Sequence, residues 1–220
     1  MNMLRIGTRP SPLAIKQADE LKRLFPKVNF EVVVISTKGD KDKITPLTKV
    51  EGSDFFTSEI DSALLRGEID LALHSRKDLP DKLSEGLRIA LETESISPYD
   101  ALVSGGGLKL KDLPYASRVG TSSQRRKEQI YTLREDLVLV DVRGDIGERL
   151  NLIDTGKIDA LVVAHAALIR LGLEDRISEI FNTDNFLAHP KQGKLALIVK
   201  EDRWQEVRYI LSVQGPETGN

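Results

Sequence analysis

Two charged residues after an apolar stretch are the first candidates for chemistry. Residues 69–73 are apolar and predict a buried strand, and His74-Ser75-Arg76-Lys77-Asp78 follows at once. Such a break marks the carboxyl edge of a parallel sheet, where open α/β folds bind their ligands. We expect Lys77 to hold an anionic group and Asp78 to face a positive charge that forms during a reaction. The alternative is a strand end with a solvated charge pair and a turn at Pro80.

A series of arginines in the second half of the chain forms the next set of candidates. The positions expected in loops after apolar strands are Arg125, Arg126, Arg143 and Arg149, and Arg170 lies further on. A guanidinium binds carboxylates and phosphates through paired hydrogen bonds and stays charged. The alternative is a set of solvated arginines on helix surfaces. The chemistry alone therefore predicts a polyanionic small molecule bound between two α/β domains.

Two internal echoes indicate the elements that position these residues. Ile6-Gly7-Thr8 matches Val119-Gly120-Thr121, and each predicts a strand that turns into a helix. Gly67-Glu68-Ile69-Asp70 matches Gly156-Lys157-Ile158-Asp159, and each predicts a helix end that leads into a buried strand. Free N–H groups at a helix start favour anions, and Arg9 and Ser11 follow the first Gly-Thr pair. We predict two related α/β halves that face each other across a cleft.

The predicted domain organisation follows from the polar crossings between these halves. Domain 1 is discontinuous and comprises residues 1–94 and 191–214, domain 2 comprises residues 99–187, and residues 215–220 form a tail. The length of 220 residues allows two domains of this size.

Composition limits the function classes. Lys+Arg total 32 against Asp+Glu 34, so the net charge of −2 gives no argument for nucleic acid. No apolar run is long enough to span a membrane, so we expect a cytoplasmic protein. The chain has no cysteine, which excludes disulfides and any cofactor linkage through its own sulfur. His74, His165 and His189 show no metal-ligand spacing, so no metal is expected.

Five motifs together resemble one known family. They are Ile6-Gly7-Thr8-Arg9-Pro10-Ser11-Pro12-Leu13-Ala14, Leu73-His74-Ser75-Arg76-Lys77-Asp78-Leu79-Pro80, Val119-Gly120-Thr121-Ser122-Ser123-Gln124-Arg125-Arg126, Arg143-Gly144 with Arg149-Leu150, and Arg170-Leu171-Gly172-Leu173. From about Leu4 to Val213, the chain is similar to hydroxymethylbilane synthase, also called porphobilinogen deaminase. The resemblance implies two domains like those of type II periplasmic binding proteins.

The resemblance also implies an activity and a site. The family is a transferase of tetrapyrrole and heme biosynthesis that joins porphobilinogen head to tail into a linear tetrapyrrole and releases ammonia. Asp78 matches the family's catalytic carboxylate, which stabilises a cationic pyrrole. The positions that match carboxylate-binding residues are Arg9, Ser11, Lys77, Thr121, Ser122, Ser123, Arg125, Arg126, Arg143, Arg149 and Arg170. The expected partner is a small molecule, porphobilinogen or a polypyrrole, and the expected state is a monomer.

Several positions depart from the family's pattern. The family links a dipyrromethane cofactor to a cysteine of a third domain, which we expect to be absent here, so non-covalent cofactor or a separate cofactor-bearing domain is implied. Ser53 replaces a basic residue, Asp145 and Glu148 add negative charge, and Lys191 and Lys194 add positive charge. The alternatives are a non-catalytic protein that binds porphobilinogen, a polypyrrole or another polycarboxylate, and a solute-binding domain of a different ligand class.

Overall fold

The protein is described by a computed structural model, in which residues 3–42, 45 and 54–214 are described. The chain divides into two compact units. Unit 1 comprises Met1–Lys41, Gly52–Glu94 and Lys194–Asn220, and unit 2 comprises Asp42–Glu51 and Ser95–Gly193. Within the described ranges, no helix is both long enough and apolar enough to cross a membrane.

Helices and strands are interspersed along the chain, as in α/β proteins. In order, they are β1 (Leu4–Thr8), α1 (Pro12–Leu24), β2 (Phe30–Val34), α2 (Lys38–Lys41), α3 (Ser58–Leu65), β3 (Leu71–Ser75), β4 (Leu87–Glu92), β5 (Asp100–Ser104), β6 (Arg118–Gly120), α4 (Gln124–Leu133), β7 (Val138–Val140), α5 (Ile146–Asp154), β8 (Ala160–Ala164), α6 (His165–Leu171), β9 (Glu179–Ile180), β10 (Leu195–Lys200) and α7 (Trp204–Gln214). The predicted α/β class is confirmed.

Each unit is built on one mixed sheet. Among the described residues, the unit 1 sheet has the order β2-β1-β3-β10-β4, with β10 antiparallel to both of its neighbours. The unit 2 sheet has the order β7-β6-β8-β5-β9, with β5 antiparallel to both of its neighbours. In each sheet the other four strands run in the same direction, so the two units repeat one topology.

The two echoed motifs form the same local structure in the two units. The Arg5 side chain donates from Nε to the Asp70 carboxylate (3.1 Å) and from Nη2 to the carbonyl oxygen of Gly67 (2.8 Å). Arg118 repeats this arrangement with Asp159 and Gly156, at 3.1 Å and 2.9 Å. Each arginine begins or lies in the strand that carries the Gly-Thr turn. The predicted internal repeat is therefore present in the backbone and in the side-chain contacts.

Apolar packing on both faces of each sheet explains why the central strands are almost wholly apolar. On unit 1, one face packs against α1 and α7 and the other against α3. On unit 2, one face packs against α4 and the other against α5 and α6. Strands buried on both faces lack the alternating pattern of a half-exposed strand.

Two predicted boundaries differ from the structure, and one strand was not predicted. The strand predicted over residues 69–73 is β3, Leu71–Ser75, which continues through the buried His74 to Ser75, whose hydroxyl accepts a hydrogen bond from Gln17 (2.8 Å). The apolar spacing of Phe56, Ile60, Ala63 and Leu64 predicts a helix from Phe55, and in the structure this helix, α3, begins at Ser58. The short buried strand β5 was not predicted, because Asp100 and Ser104 at its ends resemble loop residues. The polar composition of residues 41–51 predicts a connection, and this stretch lies largely outside the described residues.

Candidate functional site

The turn after β3 presents Lys77 and Asp78. Residues 76–78 form one 3₁₀ turn, and the backbone N–H of Arg76 donates to the carbonyl oxygen of Lys194 (3.0 Å). The Arg76 side chain pairs with Glu92, and Leu79 is buried directly after the turn. Asp78 is exposed, and no hydrogen bond or ion pair joins it to another residue that the structure describes. Its neighbours are thus anchored while its carboxylate faces solvent.

Arg9 follows β1, the strand beside β3, and is held from two sides. Its Nη2 donates to Asp40 (2.6 Å), and its guanidinium lies 4.4 Å from the centre of the Phe56 ring. Burial raises the pKa of Asp40, but hydrogen bonds from Arg9 and Thr37 outweigh burial and hold this pKa below its usual value. Asp40 is therefore charged at neutral pH and fixes the direction of the guanidinium.

Ser11 caps α1. Its hydroxyl accepts from the backbone N–H of Ala14 (3.2 Å), and Pro12 begins the helix with a fixed φ angle. The predicted helix start is confirmed. Its free N–H groups lie at the same edge of the unit 1 sheet as Arg9, because both follow the carboxyl end of β1.

The Thr121-Ser122-Ser123 loop occupies the corresponding edge in unit 2. Ser122 is buried, donates to the carbonyl oxygen of Val142 (2.6 Å) and accepts from the N–H of the same residue (2.9 Å). Thr121 is buried, and its Oγ1 accepts from the N–H of Ser123 at 3.4 Å. Ser122 thus ties the loop after β6 to the loop after β7, which carries Arg143.

Arg125 and Arg126 both contact one buried carboxylate. Nη2 of Arg125 lies 2.6 Å from Asp100 Oδ2, and Nη2 of Arg126 lies 2.5 Å from Asp100 Oδ1. Asp100 is fully buried, and the Gln192 side-chain amide also donates to it at 3.0 Å. Burial raises the pKa of Asp100, but the charges and hydrogen bonds of Arg126 and Arg125 outweigh burial and lower it. We call Asp100, Arg125, Arg126 and Gln192 the Asp100 cluster. With Asp100 and both arginines ionised, the cluster has a net charge of +1.

The other three arginines contact backbone oxygens. Nη2 of Arg143 donates to the carbonyl oxygen of Asp42 (2.5 Å), and Nε of Arg149 donates to that of Gly144 (2.9 Å). Nη2 of Arg170 donates to the carbonyl oxygen of Gly193 (2.8 Å), next to Gln192. These hydrogen bonds orient each side chain.

The expectation that Arg125, Arg126, Arg143 and Arg149 occupy loops after strands is wrong for three of the four. Arg125 and Arg126 lie in the first turn of α4, Arg149 lies in α5, and Arg170 lies in the last turn of α6. Only Arg143, among these four, lies in a loop, the one that follows β7. Helices hold side chains more firmly than loops, so the helical positions favour fixed anion contacts.

Asp145 and Glu148 form a capping box at the start of α5. The Asp145 carboxylate accepts from the N–H of Glu148 (2.8 Å), and the Glu148 carboxylate accepts from the N–H of Asp145 (2.9 Å). The two carboxylates therefore cap the start of α5, and they also add negative charge to this region. An acidic residue three positions before a glutamate, ahead of an apolar run, was the sequence signal for this cap.

Asp40, Asp100 and Gln192 are site residues that sequence reasoning did not select. Each supports an arginine from a position distant in the chain, since Asp40 pairs with Arg9 and the other two with Arg126. Asp100 carried a signal, because it is a lone acid directly before the apolar Ala101-Leu102-Val103. The pairings themselves depend on the tertiary fold.

The structure thus brings the predicted residues together in two groups. In unit 1, Arg9 and Ser11 follow β1, and Lys77 and Asp78 follow the adjacent strand β3. In unit 2, the contacts of Ser122 join the loop 121–123 to the loop that carries Arg143. In the Asp100 cluster, Arg126 also donates to the carbonyl oxygen of Val162 (3.4 Å). Each group suits the binding of anions, and Asp78 adds one carboxylate for a cation.

Comparison with solved structures concerns the fold alone. A nutrient binding protein from Burkholderia cenocepacia bound to methionine is 12% identical, with a TM-score of 0.54, and the match covers 95% of this chain and 90% of that one. An ABC transporter periplasmic substrate-binding protein from Coxiella burnetii is 13% identical, also with a TM-score of 0.54, covering 96% and 92%. The predicted likeness to periplasmic binding proteins is confirmed.

Sequence relatives are much closer. Porphobilinogen deaminase of Natranaerobius thermophilus is 41% identical over 204 residues, which are 90% of this chain and 66% of the relative. That of Citrifermentans bemidjiense is 43% identical over 198 residues, covering 88% of this chain and 62% of the relative. The chain thus spans about two thirds of the length of these curated relatives.

The family model for the porphobilinogen deaminase, dipyromethane cofactor binding domain matches residues 4–207. This match covers both units and every predicted site residue. The chain therefore belongs to the porphobilinogen deaminase family.

Proposed function

We propose that this chain binds porphobilinogen and joins it to a growing polypyrrole with release of ammonia, as a hydroxymethylbilane synthase-type transferase. The observation that carries the proposal is the exposed Asp78 carboxylate, which has no partner among the described residues. The carboxylates of Asp40 and Asp100, in contrast, are neutralised by arginines. Asp78 is thus available to a cation that forms on a ligand.

The proposed reaction needs a carboxylate at one stage. The bond between the aminomethyl carbon and the nitrogen breaks, the electron pair leaves with the nitrogen, and ammonia departs after taking up a proton. The remaining pyrrole is cationic, and Asp78 stabilises its charge near the ring N–H. The free α-carbon of another pyrrole then attacks the cationic carbon, a C–C bond forms, and that α-carbon loses its proton.

The arginines and hydroxyls take the second role, which is to hold the acetate and propionate groups. Each pyrrole brings two carboxylates, so a growing chain needs several positive contacts. We assign this role to Arg9, Ser11, Lys77, Thr121, Ser122, Ser123, Arg125, Arg126, Arg143, Arg149 and Arg170. The net positive charge of the Asp100 cluster supports the assignment of Arg125 and Arg126.

The positively charged side chains of the site can hold the carboxylates of a dipyrromethane cofactor. The chain offers no cysteine for its covalent attachment. The buried Nε–H groups of Arg126 and Arg143 have no acceptor among the described residues, so donors remain in this region. When bound, a dipyrromethane would supply the pyrrole carbon to which the first substrate is added. The 220 residues contain no cysteine, so we propose that it binds non-covalently or on a separate domain.

We further propose that the two units are the predicted domains 1–94 with 191–214 and 99–187. We keep as proposals a monomeric state, a cytoplasmic location and the absence of nucleic-acid partners. A second candidate function is favoured by the lack of cysteine: non-catalytic binding of porphobilinogen, a polypyrrole or another polycarboxylate.

The test compares ammonia release from porphobilinogen by the wild-type chain, Asp78→Asn and Glu85→Gln. Glu85 is also exposed but lies outside the proposed site, so Glu85→Gln controls for loss of a surface charge. We expect release by the wild type and Glu85→Gln, and at least a hundredfold slower release by Asp78→Asn. Binding of porphobilinogen without ammonia release by the wild type would establish the non-catalytic alternative.

A further inference from the structure

A buried polar pair lies beneath the unit 1 site. Asp61 in α3 and His74 in β3 are 6% and 5% exposed, and Asp61 Oδ1 lies 3.8 Å from His74 Nε2. Neither of these two atoms has a hydrogen-bond partner within the described parts of the chain. Buried polar atoms are seldom left in this state, because each one loses its hydrogen bonds to water.

The internal repeat shows what packing alone requires at these positions. In unit 1, Glu68 N–H donates to the carbonyl oxygen of Ala63, and in unit 2, Lys157 N–H donates in the same way to Leu152. The same register places Leu150 at the position of Asp61. Likewise, the pairing of β6 with β8 matches that of β1 with β3 and places Val163 at the position of His74.

Leu150 and Val163 are both buried in one apolar cluster. A leucine and a valine therefore fill the same structural position in unit 2 that the acid and the imidazole fill in unit 1. An apolar pair of this kind is usually at least as stabilising as a buried polar one. Packing of α3 on the sheet thus gives no reason for Asp61 and His74.

The electrostatics of the pair connect it to the site. Burial lowers the pKa of His74 to about 4, with a further contribution from the positive charge of Arg9. Burial raises the pKa of Asp61 to about 6, with a hydrogen bond from Thr57 opposing and the charge of Asp54 adding to this effect. At neutral pH, His74 is uncharged and Asp61 is ionised. A protonated His74 would repel Arg9. Arg9 is one of the proposed carboxylate-binding residues.

We propose that Asp61 and His74 are a positioning pair that sets the end of β3, and with it the turn that presents Lys77 and Asp78. This inference rests on the proposed function of that turn. His74 lies only three residues before Lys77, and its backbone pairs with Ala196 in β10. The charge on Asp61 in α3 acts on the polar imidazole of His74 and so orients the end of β3. An apolar contact, such as that between Leu150 and Val163, has no preferred direction.

The test installs the residues of unit 2 in unit 1. The double variant Asp61→Leu with His74→Val should unfold at the same temperature as the wild type or above it. We expect the backbone amide resonances of Lys77 and Asp78 to move, and porphobilinogen affinity to fall at least fivefold. Ile60→Val, a change in the same helix that leaves the pair intact, serves as the matched control and should alter neither.

A pH titration gives a second readout that a purely structural pair would not change. In the wild type, the Lys77 and Asp78 amide resonances should show an inflection near pH 6, and Asp61→Asn should remove it. Unmoved resonances and unchanged affinity in a folded double variant would overturn the proposal. If the double variant does not fold, an inflection that persists in Asp61→Asn would overturn it. If the wild type binds no porphobilinogen, the proposed function fails and the amide resonances alone decide this inference.

Discussion

The carboxylate of Asp100 and the guanidinium of Arg126 lie 2.5 Å apart in the interior of unit 2. The carboxylate is fully buried, and Arg126 is 8% exposed. Because Arg125 shares the same carboxylate, the two guanidiniums are held at the start of α4 with an excess of one positive charge. Asp100 is therefore the residue on which the geometry of this proposed carboxylate site depends.

Replacing Asp100 with Asn should destabilise the chain by about 3 kcal/mol, since it leaves a buried guanidinium without its counter-charge. Urea denaturation measures this free energy of unfolding. Asp141→Asn breaks the ion pair with Lys127 at an exposed carboxylate and should cost less than about 0.5 kcal/mol. Equal losses in the two variants would show that the Asp100 cluster has no special role in stability.

We predict that single variants of Asp61 and His74 change the pH dependence of stability in opposite directions. The raised pKa of Asp61 contributes stability that is present below about pH 4 and is lost as the pH rises through about 6. The lowered pKa of His74 contributes stability that is present above about pH 6.5 and is lost as the pH falls through about 4. Each contribution is about 3 kcal/mol in full, and in the wild type they oppose each other.

Relative to the wild type, Asp61→Asn should therefore lose stability as the pH falls from 7 to 4, and His74→Gln should gain it. Urea denaturation at a series of pH values gives both differences. Because the comparison is with the wild type at the same pH, the titration of other carboxylates cancels. Differences of the same sign in both variants would contradict the assigned charge states.

Gly120 should not tolerate a side chain. A Cβ at this position would lie 2.7 Å from Ile158 Cδ1 and 2.9 Å from Val142 Cγ1, closer than packed carbon atoms approach. Gly120→Ala should therefore destabilise the chain by about 2 kcal/mol through overpacking. Gly105→Ala is the control, because its Cβ would meet no atom closer than 3.8 Å. Thermal unfolding of both variants checks this, and a stable Gly120→Ala would refute the close approach.

Arg143 is expected to bind a ligand carboxylate through its charge. Arg143→Ala should weaken porphobilinogen binding about tenfold at low salt and by less at high salt, where the interaction is screened. Arg176→Ala removes a guanidinium of unit 2 that pairs with Asp154 outside the proposed site, and it should leave the affinity unchanged. An Arg143→Ala variant with wild-type affinity at every salt concentration would remove Arg143 from the site.

The elements that position the site were largely predictable from the sequence. Gly-Thr turns and Gly-x-Ile-Asp motifs are local signals, and they predicted the repeated strand and helix starts that the structure contains. The arginines of the site were selected by side-chain chemistry and by family resemblance. Their assignment to the ligand stays a prediction.

The partners of those arginines were not predictable in the same way. Arg126 is 26 positions from Asp100 and 66 from Gln192, so their contacts depend on how α4 and β5 pack in the folded unit. β3 was predicted two residues early for a related reason: the places of His74 and Ser75 in the strand depend on their pairing with Ala196 and Leu195 of β10, far along the chain. Local pattern contains no information about such pairings.

The most direct test of the proposed function is calorimetric titration of the wild-type chain with porphobilinogen and with a pyrrole that lacks the two carboxylates. We predict saturable, salt-sensitive binding of porphobilinogen and no measurable binding of the carboxylate-free pyrrole, because the proposed contacts are charged. Equal binding of the two compounds, or no binding of porphobilinogen, would contradict the assignment of these residues to a pyrrole-carboxylate site.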